Sequence, residues 1–396
     1  MKHRIVVLGA GYAGAYSAGY LARQLHSDDF EIIVANAELD FVERLRLHQL
    51  AAGHELPHRP LAEVFAGTDI QLRLARVTSI DAERRTVTIA DGADTDRLEY
   101  DTLLYALGST TADNGIPGVA EHAFHVAARP SALRLRSRLD ELGEGGRVLV
   151  VGGNLTAIEA ATEIAEARPG LRVSLATSGE LGGWLGPKAR RHVLGAFDRF
   201  GITVHEHTKI ERVEETGAVA ADGTVFAADA TVWAAGFAVH PIAAASGLAV
   251  EANGQITVDR QMRSISHPDV YAAGDSVFVI GDNGRPLPMS CASAGYTGTQ
   301  AAAAIVGDLT GRKIKATALS YVGNHISLGR KDGIFQLVDG DAHSKPGALR
   351  GRSAARVKSA IVAISAWAVS RPTFGKPNHK YRLATTREVS PKLVTA

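Results

Sequence analysis

Two glycine-rich turns, each directly after an apolar strand pattern, stand 143 positions apart in this 396-residue chain. The first is Gly9-Ala10-Gly11-Tyr12-Ala13-Gly14 after Arg4-Ile5-Val6-Val7-Leu8; the second is Gly152-Gly153-Asn154-Leu155-Thr156-Ala157 after Arg147-Val148-Leu149-Val150-Val151. A buried-strand run, a turn with glycines at set places and an Ala-rich helical pattern make a unit whose helix N-terminus faces a phosphate. Two such turns predict two bound dinucleotides.

In the first turn Gly9 permits the tight bend, Gly11 lets the backbone approach a pyrophosphate, and Gly14 lets helix and strand pack closely. The strand Glu31-Ile32-Ile33-Val34-Ala35 ends on Asn36, where an acid usually holds a ribose hydroxyl. Its amide can hydrogen-bond a ribose without charge, or cap a turn. The second turn is degenerate, with Asn154 at the second glycine place and Ala157 at the third, where alanine is an accepted variant. Asparagine tolerates left-handed backbone angles, which predicts that the turn survives. After the next strand, Leu171-Arg172-Val173-Ser174-Leu175, no acid comes before Glu180 and no arginine marks a 2'-phosphate, so NADH and NADPH stay equally open.

The length predicts two or three domains, and 45% hydrophobic residues suffice for large cores. Lys2 and Arg4 before an apolar stretch resemble a signal peptide, but three fixed glycines interrupt it, and the N-terminus reads as mature and cytoplasmic. Cys291 is the single cysteine, which excludes a disulfide framework and a Cys-x-x-Cys relay. No His, Cys and carboxylate cluster has metal-ligand spacing, and no hydrolase nucleophile elbow occurs.

The order Gly9-x-Gly11-x-x-Gly14, Tyr105-Ala106-Leu107-Gly108-Ser109, the second turn, Trp233-Ala234-Ala235-Gly236-Phe237 and Tyr271-Ala272-Ala273-Gly274-Asp275 resembles the FAD-dependent flavoproteins with two dinucleotide-binding domains. Within them the chain is similar to the type II NADH dehydrogenases, over nearly all of residues 1–310. The resemblance implies an α/β fold: a discontinuous Rossmann-like FAD domain (1–115 and 245–310), an inserted NAD(P)H domain (116–244) and a C-terminal α+β region (311–396).

It further implies that Gly9, Gly11 and Gly14 hold the FAD pyrophosphate, Asn36 the adenosine ribose and the Val77 backbone the adenine edge. Gly108 would sit at the crossover between domains. Asp275, after Gly274, would accept a ribityl hydroxyl, and its helix N-terminus would face the flavin or its phosphates; the plain reading of Asp275, a helix N-cap, is compatible with that role. Gly152, Gly153, Asn154 and Ala157 would cradle the NADH or NADPH pyrophosphate, and Gly236 would line the same pocket. Glu159 matches a glutamate close to the nicotinamide and flavin rings in relatives, and equally reads as a glutamate favoured by the helix dipole.

Residues 41–53 are unusually charged for a flavin-facing segment. Arg44 or His48 can reach a flavin ring or a substrate, or the alternating charges form a solvated helix face. Relatives carry an Ala-Gln-x-Ala-x-Gln-type segment beside the quinone. Here the corresponding stretch is Cys291-Ala292-Ser293-Ala294-Gly295-Tyr296-Thr297-Gly298, with Gln300 beyond it and the glutamines absent from their places.

From Ser344 onward eleven Lys and Arg face Glu388 alone, a net +10, which leaves −9 for the remainder of a chain of net +1. Residues 352–370 read as an amphipathic helix, with Val357, Ile361, Ile364 and Ala368 on one stripe and Arg352, Arg356 and Ser359 on another. Its apolar run is half the roughly 20 residues a bilayer span needs. Trp367 and basic flanks suit an anionic lipid surface at the inner face of the cell membrane; packing on the body or in a homodimer is the competing reading. No nucleic-acid-binding module accompanies the charge. The chain thus reads as an oxidoreductase passing hydride from NAD(P)H to FAD and two electrons to a quinone. A soluble reductase for another acceptor and a slow nucleotide sensor are the alternatives.

Overall fold

The first strand, His3–Leu8, is apolar without alternation because it is covered on both faces, and Ile5, Val6, Val7 and Leu8 are fully buried. It lies in the middle of a five-stranded parallel sheet in the order Val270–Ala272, Thr102–Tyr105, His3–Leu8, Phe30–Asn36, Ile70–Leu74. The computed structural model describes residues 1–321, 323–339 and 343–384. Arg387, Glu388 and Lys392, counted in the basic tail, lie outside them.

Helix Tyr12–Gln24 crosses between the first two strands, and helix Cys291–Thr310 packs along it. Small residues set that approach: a side chain at Gly298 would meet the Ala13 carbonyl at 3.1 Å, and Ser17 Oγ donates to Gly298 O at 3.0 Å. The second parallel sheet runs Thr203–His205, Arg172–Ala176, Arg147–Val151, Ala230–Trp233, Ala123–Phe124. Each sheet carries a three-stranded antiparallel appendage, 76–99 on the first and 210–227 on the second. Between the two sheets Ser109–Thr111 pairs antiparallel with Phe237–Val239, so the chain leaves and re-enters the first half through paired strands.

The C-terminal region is a three-stranded antiparallel sheet, Gly323–Ser327, Gly333–Val338 and Ser344–Arg350, followed by helix Arg352–Ser370. It joins both halves. Ile326, Leu328 and Ile334 enter the core of the second sheet, whereas Ala366 and Val369 enter that of the first. The short helix Leu47–Ala52 is also recruited to the second core, through Leu47, Leu50, Ala51 and Ala52. Burying each of its two leucines contributes about 2 kcal/mol. All six of its residues are buried, which corrects the solvated-face reading of residues 41–53.

Candidate active site

The first glycine turn is shaped by what surrounds it. A Cβ at Gly9 would lie 2.5 Å from the Ala106 carbonyl oxygen, and one at Gly14 would lie 1.9 Å from the Gly9 carbonyl oxygen. A Cβ at Gly11 would meet nothing within 4 Å. Gly9 and Gly14 are therefore demanded by the fold, while Gly11 faces open space at a helix start whose first N–H groups lack intrahelical partners. Asn36 braces this turn: its Oδ1 accepts from Ala10 N at 2.8 Å and its Nδ2 donates to Glu38 O at 2.8 Å. Val77 is buried at the start of the 76–81 strand, beside a bulge in its pairing with Ile89 and Thr88.

At the carboxyl end of the same sheet a polar knot gathers Arg44, Gly108, Ser109, Asp275 and Ser276. Asp275 Oδ2 accepts from Ser109 Oγ at 2.7 Å, and Arg44 Nη1 donates to Ser109 O at 2.9 Å while standing 3.7 Å from the carboxylate. Gly108 N donates to Ser276 Oγ at 3.0 Å, and Gly108 takes a left-handed φ of +71° where the chain turns into the paired crossover strand. Gly274 N donates to Thr297 Oγ1 at 2.9 Å. Asp275 lies in the short turn Gly274–Ser276 and caps no long helix, because the helix that follows starts only at Cys291. That corrects the N-cap reading: no α-helix begins at the Gly-Asp pair in sequence, and the first turns of the Cys291–Thr310 helix pack against it in space.

The second turn differs at its degenerate place. Asn154 has φ −85° and ψ 178°, close to the −75° and −163° of Gly11, so no left-handed backbone is needed there. The strained position is Gly152, at φ +136°, where a Cβ would meet the Ala234 carbonyl at 2.4 Å. The Asn154 amide folds back instead, accepting from Ala157 N at 3.1 Å and donating to Ala234 O at 2.9 Å. One helix-start N–H that a glycine would leave open is therefore used internally. Gly152, Gly153 and Asn154 line a cleft of about 480 Å³ that also takes in Thr177, Ser178, Glu180 and Trp184. Gly236 lines a smaller adjoining recess with Asn154 and Thr156.

Glu159, little more than one turn into that helix, points into a buried polar cluster. Its Oε1 accepts from Ser327 N at 2.8 Å and Ser327 Oγ at 3.0 Å, and forms an ion pair with Lys358 Nζ. His48 Nδ1 stands 3.9 Å from Glu159 Oε2. Burial holds His48 well below the usual imidazole range and brings the Lys358 ammonium down to about 7. Lys358 also lines a cavity of about 240 Å³ with Leu45, Arg46, Gln49, Arg330 and Val362.

Compared with known proteins, residues 3–302 match the family described as pyridine nucleotide-disulphide oxidoreductase. The chain belongs to this family. It is 28% identical over 357 residues to an NADH dehydrogenase-like protein of Mycobacterium tuberculosis, covering 84% of this chain and 87% of that one. It is 26% identical to a type II NADH:quinone oxidoreductase of Staphylococcus haemolyticus, covering 91% and 94%. Among solved structures, the sulfide:quinone oxidoreductase of Aquifex aeolicus superposes with a TM-score of 0.79 at 21% identity, covering 99% and 100%. As a family member the chain is an oxidoreductase of FAD and a pyridine nucleotide, built on two Rossmann-like domains.

This member of the family has no cysteine pair. Cys291 opens its helix alone, and burial, with Asp275 adding to it, pushes the thiol up to about 12, so near neutral pH it is an inert thiol. Gln300 is equally quiet, buried with its Oε1 accepting from Thr317 N. In the sequence Lys358 is one more basic residue of the tail, and no local pattern marks Ser327 or Glu163. For Lys358 the signal was present: Ala354, Lys358, Val362 and Ala366 form a column at intervals of four, and a lysine in a column of alanine and valine is a buried lysine.

Proposed function

We propose that this oxidoreductase is an NADH:quinone oxidoreductase that works docked on a membrane surface. The carrying observation is the 240 Å³ cavity beside Lys358, because the helix that supplies this buried cation also turns an apolar face outward, with Ile364 64% and Trp367 40% exposed. Phe374 packs edge-on against Trp367, Arg371 lies over the Trp367 ring, and Arg352 and Arg356 are exposed on the same helix. Aromatic and aliphatic groups rimmed by arginine suit an anionic lipid interface. Among the described residues no helix is long and apolar enough to cross a membrane.

In this reading Gly9, Gly11 and Gly14 hold the flavin's pyrophosphate, and Arg44, Ser109 and Asp275 hold its polyol end. Gly152, Gly153 and Leu155 to Ala157 approach the nicotinamide dinucleotide's pyrophosphate. Glu180 lines that cleft, and a carboxylate there favours a free ribose over a 2'-phosphate, hence NADH over NADPH. When bound, the flavin supplies the hydride acceptor and the two-electron donor. The chain positions the partners, keeps water from the cluster at Glu159, and presents the Lys358 ammonium to an acceptor oxygen in the cavity. Sulfur chemistry through an intrachain dithiol is closed to a chain whose single cysteine is Cys291.

The test is an anaerobic titration of the yellow holoprotein near 450 nm with NADH and with NADPH, followed by menaquinone and ubiquinone analogues. Bleaching by NADH and recovery on adding a quinone are expected. Persistent colour with both nucleotides, or a bleached state that neither quinone restores, sinks the proposal.

A further inference from the structure

Beyond Lys358 and Glu159 the buried groups continue toward the protein surface in a single file. His48 Nδ1 faces Glu159 Oε2 at 3.9 Å, and its other ring nitrogen, Nε2, faces Glu163 Oε2 at 4.0 Å and Ser327 Oγ at 3.4 Å. Glu163 Oε1 lies 3.0 Å from His54 Nε2. The Glu163 side chain is 1% exposed, whereas that of His54 is 39% exposed. Neither Glu163 oxygen makes a hydrogen bond, and neither does His54 Nε2, because their close approach is off the line such a bond needs. A buried carboxyl with His54 and, at 3.9 Å, Arg330 Nε as neighbours but no hydrogen bond is costly as structure alone. No group of three or more His, Cys, Asp or Glu among the described residues is set to hold a metal.

We infer that His54, Glu163 and His48 form a proton relay that refills the Lys358–Glu159 pair from solvent during reduction of the acceptor. The inference rests on the quinone reading above. NADH, a quinone and one proton give NAD⁺ and a quinol, so each turnover draws one proton from solution. At the cavity the acceptor oxygen, having gained its electrons, takes a proton from Lys358: an O–H bond forms and an N–H bond breaks. The neutral amine regains a proton through Glu159, His48 passes one from Nε2 to Nδ1 by exchanging tautomers, and Glu163 is reprotonated through His54. A neutral imidazole between two carboxyls can perform that exchange, and the 4 Å gaps close by small ring and carboxyl rotations.

The surrounding charges fit this role. Burial pushes the Glu163 carboxyl up to about 7 and Glu166 adds to it, while Arg330 and Arg46 oppose. His48 is held neutral by burial, with the charges of Lys358, Arg330, Arg46 and His54 acting the same way. His54 is lowered by burial and by Arg330, Arg46 and Arg136, against Glu166. Glu163 and Lys358, both at about 7, are the members that exchange protons near neutral pH, and His48 between the carboxyls passes a proton as a neutral ring.

The experiment uses the holoprotein, with Glu163→Gln and His54→Ala. Both variants are expected to slow menaquinone-analogue reduction about tenfold at pH 8 and less at pH 6. Their reduction of ferricyanide, which takes up electrons and no proton, stays at the wild-type rate. Free imidazole restores the quinone rate of His54→Ala, since a diffusible base can stand in for an exposed histidine. A second readout needs no turnover: infrared spectra show a protonated-carboxyl band that titrates near pH 7 and is missing in Glu163→Gln. Equal slowing with both acceptors, no slowing with quinone, failure of imidazole rescue, or an unchanged band overturns the relay. If Glu163→Gln fails to fold, His54→Ala decides alone. A wild-type protein that ignores quinones while reducing ferricyanide defeats the quinone reading instead.

Discussion

At the residue scale the first turn separates two demands that a glycine can answer. Gly14 is required by its neighbours, so Gly14→Ala pushes the helix off the strand; we expect a lowered melting temperature even without flavin. Gly11 faces open space, so Gly11→Ala keeps the stability of the apoprotein and weakens FAD retention at least tenfold, about 1.4 kcal/mol. Thermal melts of both apoproteins, with flavin titrations followed at 450 nm, check the contrast, and equal melting losses would show that Gly11 is structural. The second turn offers the converse. Asn154→Gly removes a cap, which for glycine costs only a few tenths of a kcal/mol. It releases the Ala157 N–H toward a phosphate, a charge-assisted bond worth about 1.5 kcal/mol or more. The dissociation constant for NADH, read from the concentration dependence of flavin bleaching, should therefore fall by roughly tenfold.

Elements differ in how much of them could be read from local sequence. The glycine turns, the strands before them and helix Arg352–Ser370 follow short-range patterns, and they were legible for that reason. The Asp275 turn was not, since residues 277–290, the short strand Val277–Phe278 among them, separate it from the helix that packs against it. The cluster at Glu159 was least legible, because its members come from four segments that only tertiary packing unites. The helical stripe of Val357, Ile361 and Ile364 also lies one column away from the buried one, and Ile364 turns outward. The C-terminal helix carries a prediction of its own. Lys358→Met leaves the Glu159 carboxylate buried without its cation, at a cost of about 3–5 kcal/mol. Adding Glu159→Gln should return much of that loss, and a denaturant double-mutant cycle measures the coupling. Additive losses would mean that the pair is not coupled.

For the whole molecule, the C-terminal helix is held at both ends. The strand Ser344–Arg350 precedes it in the third sheet, and after Pro372 the chain doubles back along helix Tyr12–Gln24. There Tyr381 bridges Leu25, Lys380 Nζ donates to Ala22 O, and Arg382 pairs with Asp28 and Asp29. If the outward face docks on lipid, Ile364→Glu with Trp367→Glu should abolish co-sedimentation with anionic vesicles while ferricyanide reduction continues. Unchanged co-sedimentation would place the contact elsewhere.

That double fastening governs how such a molecule would meet a surface. A tethered arm lets the body tumble above its anchor, whereas this helix is part of the body, so docking fixes the tilt of both sheets at once. A substrate dissolved in the bilayer would then search for its entrance in two dimensions, toward a doorway held at constant height and angle, while the water-soluble dinucleotide arrives from the bulk.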